Sequence, residues 1–248
     1  MMMSIAPQLA PRTALRPTSR PKPRRPKAAW LAAITWAWVG YGAALAQTAG
    51  STLVRVGAVR VTPSVTSGDL SPPAFIGAQA QVTGSSVLGG GISYMLDDHV
   101  ALDIPLAQPL RLDITGSGSV SGVGKLGETQ ALPITLLAQY RWGPAQAALR
   151  PYLGAGLTYA RFYQERATNI LSALAGGTPT QPVSISRIDP QWGTTVQLGA
   201  TIALSDRCFA DVMVSKTWLK TTAHLSSGQH LDLRLDPSAI ALGLGWRY

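Results

Sequence analysis

Hydrophobic and polar residues alternate with a period of two along most of this chain. The pattern is cleanest at the C-terminus, where Ile240, Leu242, Leu244, Trp246 and Tyr248 share one parity and Ala241, Gly243, Gly245 and Arg247 share the other. Successive side chains of a strand point to opposite faces, so residues 240–248 read as a strand with one apolar, aromatic-ended face and one small or charged face. Segments 53–61, 88–96, 100–107, 134–142, 153–159, 192–204 and 210–218 repeat the pattern, which brings the expected strands to eight. The connections alternate in length. Residues 97–98, 143–150 and 205–207 make short links, whereas 62–87, 109–129, 163–190 and 221–235 make long ones. The third long link is expected to hold a helical turn at 168–175, ended by Gly176-Gly177.

One parity of these strands is filled by Leu, Ile, Val, Trp and Tyr, a poor face for water and a good one for lipid. A soluble lipocalin-like barrel would need that face polar. The large aromatics fall at strand ends, and Tyr94, Tyr140, Trp142, Tyr159, Trp192, Trp218, Trp246 and Tyr248 are expected to form the interfacial girdle of a membrane barrel. The reading is an all-β chain forming an eight-stranded antiparallel transmembrane β-barrel with short periplasmic turns and long extracellular loops. Both termini then lie in the periplasm. Lys216 falls on the lipid-facing parity and is expected high on its strand, its ammonium snorkelling to the headgroups.

Composition agrees and removes one rival. Only 13% of residues are charged, against about a quarter in soluble domains, so much of the surface need not face water. The net charge of +9 points toward nucleic acid until it is located. Seven of the 21 basic residues (Arg12, Arg16, Arg20, Lys22, Arg24, Arg25 and Lys27) and none of the acidic ones precede residue 47. The remaining charge is nearly balanced and scattered, which excludes a nucleic-acid footprint. The basic stretch is followed by an apolar run at 28–44 and by Ala44-Leu45-Ala46, the small-x-small pattern of a signal-peptidase site. Residues 1–46 are therefore expected to be a signal peptide cleaved after Ala46, with 47–248 as a single barrel domain. The lone Cys208 allows no internal disulfide. Nothing after Ala46 approaches the roughly 18 consecutive apolar residues of a membrane helix. A membrane protein of this kind has to be a closed sheet, because lipid offers the backbone no hydrogen-bond partner.

The inward parity is rich in Gly, Ala, Ser and Thr. Its larger members are Met95, Pro105, Leu137, Gln139 and Met213, with Ser215 beside them and with Asp103, Arg141 and Asp211 as possible charge partners. An eight-stranded barrel is just wide enough to be packed by its own side chains or to hold one small ligand. Small residues with a few flexible apolar ones leave room for a slender apolar passage constricted by Pro105, Leu137 and Met213. The alternative is a barrel packed shut, in which Asp103, Arg141 and Asp211 form a stabilising network. A barrel enzyme acting on lipid would draw on His224, Ser226, Ser227, His230 and Asp232 in the last long link. Such residues are common in solvated loops and nothing fixes their geometry, so no catalytic residue is assigned. His99 beside a short turn reads as polar coverage. No His, Cys and carboxylate set has metal-ligand spacing, and neither metal nor cofactor is expected. Gly89-Gly90-Gly91 has no following helix or lysine to make a phosphate loop, and reads as close strand packing or bare backbone facing a ligand.

Several strings resemble the OmpW family of outer-membrane proteins. They are Arg55-Val56-Gly57, Leu132-Pro133 through Gln139-Tyr140, Arg150-Pro151-Tyr152-Leu153-Gly154-Ala155-Gly156-Leu157-Thr158-Tyr159, Trp192-Gly193 with Gln197-Leu198-Gly199, and Leu235-Asp236-Pro237. They run in order with matching spacing from about residue 53 to the C-terminus; the family usually ends in Phe where this chain has Tyr248. The resemblance implies a narrow barrel with a hydrophobic lumen that admits small hydrophobic solutes, set in outer-membrane lipid. It also implies loops that a bacteriocin or phage can use as a receptor. A terminal aromatic such as Tyr248 resembles the strand signal read by the outer-membrane assembly machinery.

Overall fold

The computed structural model describes residues 47–72 and 76–248, and the expected signal peptide lies outside the described residues. The wall contains β1 (Thr52–Thr62), while β2 (Thr66–Ser67) and β3 (Ala78–Val82) belong to the first long loop. It continues through β4 (Ser85–Met95), β5 (Val100–Ala107), β6 (Leu110–Gly118), β7 (Lys125–Arg141) and β8 (Leu149–Ala167). After α1 (Asn169–Leu174) and β9 (Ile185–Ile188), the wall resumes with β10 (Gln191–Ala203) and β11 (Cys208–Trp218). Loop strands β12 (Lys220–Leu225) and β13 (His230–Arg234) precede the last wall strand, β14 (Ser238–Arg247).

With β5 and β6 counted as one broken strand, the wall has eight strands and is antiparallel throughout. The ends meet where β1 pairs β14, from Leu53↔Arg247 to Thr62↔Ser238. Closure leaves no free edge in the ring, as a sheet surrounded by hydrocarbon requires. Among the described residues no helix is long and apolar enough to cross a membrane, and the crossing is made by strands.

The outward parity of the lower wall is apolar, with Val56, Ile92, Leu136, Leu153, Leu198 and Leu242 all exposed. Tyr94, Tyr140, Trp142, Trp246 and Tyr248 ring the end carrying the short turns. Trp192 and Trp218 are exposed near the opposite end, where Tyr159 leans on Trp192 with ring centroids 5.0 Å apart. Lys216 is half-buried at that upper level, its ammonium donating to the Asp236 carbonyl and to Ser238 Oγ.

Two of the expected loops, 109–129 and 221–235, turn out to be largely sheet. β7 and β8 run to 17 and 19 residues, although about 9–11 suffice to cross a bilayer. Their upper halves and β6 continue the wall beyond the membrane, and there the alternation inverts. Leu110, Leu112 and Ile114 are buried inside, while Arg111 and Asp113 face out. The period of two survives because the backbone is still a strand; its apolar face changes sides because the surroundings change from lipid to water. Above this collar β2, β13, β12 and β9 form a separate four-stranded sheet. The expected helical turn is α1, whose N-cap Thr168 accepts from the Leu171 amide, and Gly176 follows it with φ +81°. Leu126, Phe162, Leu171, Ile185, Leu225 and Leu233 belong to the apolar core joining collar, helix and upper sheet.

The ladder of the wall is interrupted between β5 and β7. β5 pairs β7 only from Val100↔Tyr140 to Asp103↔Leu137. β6 rejoins β7 at Leu110↔Ala131. Between these points, residues 104–109 and 132–136 face one another without a ladder, and Pro105, Pro109 and Pro133 lie along the seam.

Candidate functional site

The lower half of the lumen is filled by polar side chains. Arg55 of β1 donates two hydrogen bonds of 2.8 Å to the carboxylate of Asp103 on β5 and a third, 2.9 Å, to Ser93 Oγ on β4. Ser93 in turn donates to Asp103 at 2.6 Å, and Arg55 Nε lies 3.6 Å from Asp211 on β11. The Tyr152 hydroxyl donates to Asp211. Arg141 stacks on the Tyr152 ring, 4.7 Å from its centroid, and donates to Gln139 Oε1 at 2.7 Å and Gln47 Oε1 at 3.2 Å. Gln139 passes the chain on to Gln197 Oε1 at 2.8 Å. Nearer the short-turn rim, Gln47 is gripped by Arg150 and donates to Thr201 Oγ1. Asp103, Arg141 and Arg150 are all 0% exposed. So many polar groups survive burial because nearly every one has a partner of suitable chemistry.

This seal corrects two expectations. Asp103 and Asp211 converge on Arg55 rather than Arg141, which makes no ion pair among the described residues. The inward glycines of the lower wall are not a passage either. A Cβ on Gly91 would lie 2.7 Å from Arg55 Nη2, one on Gly199 2.4 Å from Tyr152 Cζ, and one on Gly245 2.2 Å from Phe209 Cζ. Each is bare so that a large side chain from elsewhere in the wall can occupy its place. Met95, expected in the lumen, packs with Leu53, Ala101 and Phe209 in a small apolar cluster at the short-turn end.

Above the seal the lumen opens into an apolar cavity of about 140 Å³. Pro105, Leu137, Met213 and Ser215 line it, whereas Asp103 and Gln139 belong to the seal beneath. Upper-wall residues absent from the sequence-based set, including Leu110, Leu112, Phe162 and Leu219, complete it. Both lips of the seam contribute, Pro105, Leu106 and Ala107 from one side and Ala131, Pro133 and Thr135 from the other. Leu106, one of its lining residues, is 51% exposed. A second, small apolar cavity of about 50 Å³ lies in the upper region, bounded by Ile114, Leu126, Leu171, Ile185 and Leu225.

The residues considered for lipid chemistry are not assembled into a catalytic set. His224 Nε2 contacts Asp189 at 3.0 Å, Ser226 accepts from the Ser184 amide, Ser227 donates to Gln229, and Asp232 accepts from Thr222. His230 stands opposite His224 in the β12–β13 ladder, and among the described residues neither imidazole bonds a serine hydroxyl. His99 bonds the Arg141 carbonyl and stacks on Tyr140. Cys208 is a free thiol. Among the described residues no group of three or more His, Cys, Asp or Glu side chains could hold a metal. Gly89 and Gly91 face Val59 and Arg55 closely, which is strand packing.

A closed eight-stranded wall with an apolar belt between aromatic girdles defines an integral β-barrel protein of the bacterial outer membrane. The model of the OmpW family matches residues 48–248, and the chain belongs to that family. Outer membrane protein W of Vibrio cholerae is 29% identical over 206 residues, covering 80% of this chain and 89% of that protein. The crystal structure of OprG from Pseudomonas aeruginosa superposes with a TM-score of 0.73 at 25% identity, covering 82% of this chain and 99% of that one. A Pseudomonas protein named dibenzothiophene metabolism operon protein DoxH is 26% identical over 175 residues, 69% of this chain and 76% of its own. The short-turn end is the periplasmic one, and the collar and upper sheet are extracellular.

Proposed function

We propose that this barrel admits small apolar molecules from the cell surface and releases them sideways into the outer membrane rather than down into the periplasm. The observation that carries this reading is the apolar cavity standing directly on a buried polar seal. An apolar solute gains nothing by displacing paired charges, and a seal with its partners removed costs several kcal/mol, so the route downward is closed to it. The seam between β5 and β7 gives the cavity another way out, at the level where the outer face is apolar. The second apolar cavity supplies a stage above it. The name of the DoxH relative supports an apolar substrate, since it associates a similar chain with metabolism of an apolar aromatic compound.

The test compares uptake of a hydrophobic solute by cells with and without the protein, at solute concentrations low enough that diffusion is limiting. Expression is expected to raise uptake, and Met213→Arg, which puts a long cation into the cavity, to cut it while the barrel still folds. Equal uptake with and without the protein at every concentration overturns the proposal.

A further inference from the structure

We infer that the cavity selects neutral molecules with an apolar body and one terminal acceptor oxygen, such as a ketone, aldehyde or ester, held with that oxygen on the cavity floor. This rests on the uptake reading above and specifies its substrate class. The floor carries a hydrogen-bond donor whose identity is fixed from below. A guanidinium can only donate, so the 2.7 Å contact from Arg141 makes the facing Gln139 atom the carbonyl oxygen. Gln139 must then donate through Nε2, and the Gln197 atom that receives it at 2.8 Å must be Oε1. The usual ambiguity of an amide side chain is thereby removed. Gln197 Nε2 is left without an acceptor among the described residues, on a side chain 1% exposed that lines the cavity.

A second donor stands beside it. Ser215 is paired with Gln197 across the β10–β11 ladder, lines the same cavity, and its hydroxyl has no partner among the described residues. One step toward the cell surface, four hydroxyls form a row along the wall. Thr217 meets Thr195 at 2.8 Å, Thr195 meets Thr158 at 2.6 Å, and Thr158 meets Thr135 at 2.7 Å. Four hydroxyl protons serve three links, so one O–H of the row is always left over. All four threonines line the cavity. An apolar chamber thus ends on a floor with donors to spare, which a hydrocarbon leaves unsatisfied and a carbonyl oxygen satisfies. A carboxylate fits less well. Asp211 and Asp103 lie below with Arg55 already engaged, and Arg141 does not line the cavity.

The experiment measures binding of decan-2-one and decane to the barrel in phospholipid nanodiscs by headspace gas chromatography, with empty nanodiscs subtracted. The ketone is expected to bind about tenfold more tightly than the alkane. Its carbonyl stretch in the infrared is expected to shift to the lower frequency of a hydrogen-bonded carbonyl. Gln197→Met removes the amide donor and should abolish the ketone preference. Ser215→Ala removes a hydroxyl that holds nothing in the fold and should reduce the preference about threefold. Equal affinities in the unaltered protein, an unshifted carbonyl stretch, or a preference surviving both substitutions overturns the inference and leaves apolar uptake standing. Failure of both compounds to bind above empty nanodiscs overturns the uptake reading as well.

Discussion

Arg55→Met is the sharpest test of the seal. The substitution removes the cation between two carboxylates. Asp103, fully buried, loses a bidentate partner at 2.8 Å, and Asp211 loses the guanidinium 3.6 Å away. Ser93 still donates to Asp103, but one neutral hydrogen bond does not replace a charge. Breaking a buried ion pair from one side costs about 3–5 kcal/mol, and with two carboxylates stranded the upper end of that range is expected. Arg55→Met/Asp103→Leu removes the pair as a unit and leaves only Asp211, which keeps its Tyr152 hydroxyl. The double variant should therefore recover about 2 kcal/mol or more relative to the sum of the singles. The assay is urea unfolding in phospholipid vesicles, followed by tryptophan fluorescence and by the heat-modifiable migration of the folded barrel. A loss under about 1 kcal/mol for Arg55→Met, or strict additivity in the double variant, would refute the claim that the seal is an interdependent charge cluster.

Gly245→Ala is expected to destabilise the barrel by about 1–3 kcal/mol in the same assay, because the new methyl would meet the Phe209 ring. Phe209→Leu should recover part of that loss; no recovery would mean that the glycine serves another purpose. The Asp97 carboxylate accepts from the His99 and Val100 amides in the β4–β5 turn, and those bonds hold its pKa below the ordinary aspartate value. The charged form is the one favoured by folding, so the turn's contribution is present above the unfolded-state pKa, about 4, and is lost as pH falls through the lower folded-state value. Hydrogen-exchange protection factors at His99 and Val100, taken relative to the intrinsic rate at each pH, should be high at neutral pH and fall in that acid window, whereas Asp97→Asn should flatten the profile. Leu136→Arg, on the lipid face, should cost about 2–4 kcal/mol if it lies near the bilayer midplane; a negligible cost would place the apolar belt elsewhere on the wall.

The lipid-facing band was readable because lipid tolerates few exceptions. Leu136, Leu153, Leu198 and Leu242 each had to be apolar, and their parity alone located the wall and its girdles. The extracellular extension of the wall was harder to read. Leu110-Arg111-Leu112-Asp113-Ile114 has the same period, but its apolar side points inward, and Pro109 with the glycines from Gly116 to Gly124 gives the stretch a loop-like look. Parity gives a face only after the surrounding medium is known. The lumen failed for another reason. Gly91, Gly199 and Gly245 looked like empty space, because a strand read alone does not show that Arg55, Tyr152 and Phe209 reach across into it. Arg55 and Tyr152 both lay within strings used for the family resemblance. Their inward parity, had it been followed, would have placed them beside Asp103 and Asp211.

The seam between β5 and β7 has a consequence for timing. An unladdered stretch of strand in hydrocarbon leaves amide donors and carbonyls seeking partners, at a cost of several kcal/mol each, so two such lips tend to zip together. Proline has no amide hydrogen to offer, and Pro105, Pro109 and Pro133 withdraw three donors from the stretch that would have to pair. The seam is thus kept unpaired by the covalent chemistry of the chain. On the lateral route proposed above it would serve as an aperture rather than a gate. Flux through it is expected to rise in proportion to the external concentration, with no threshold, until the chamber behind it is full.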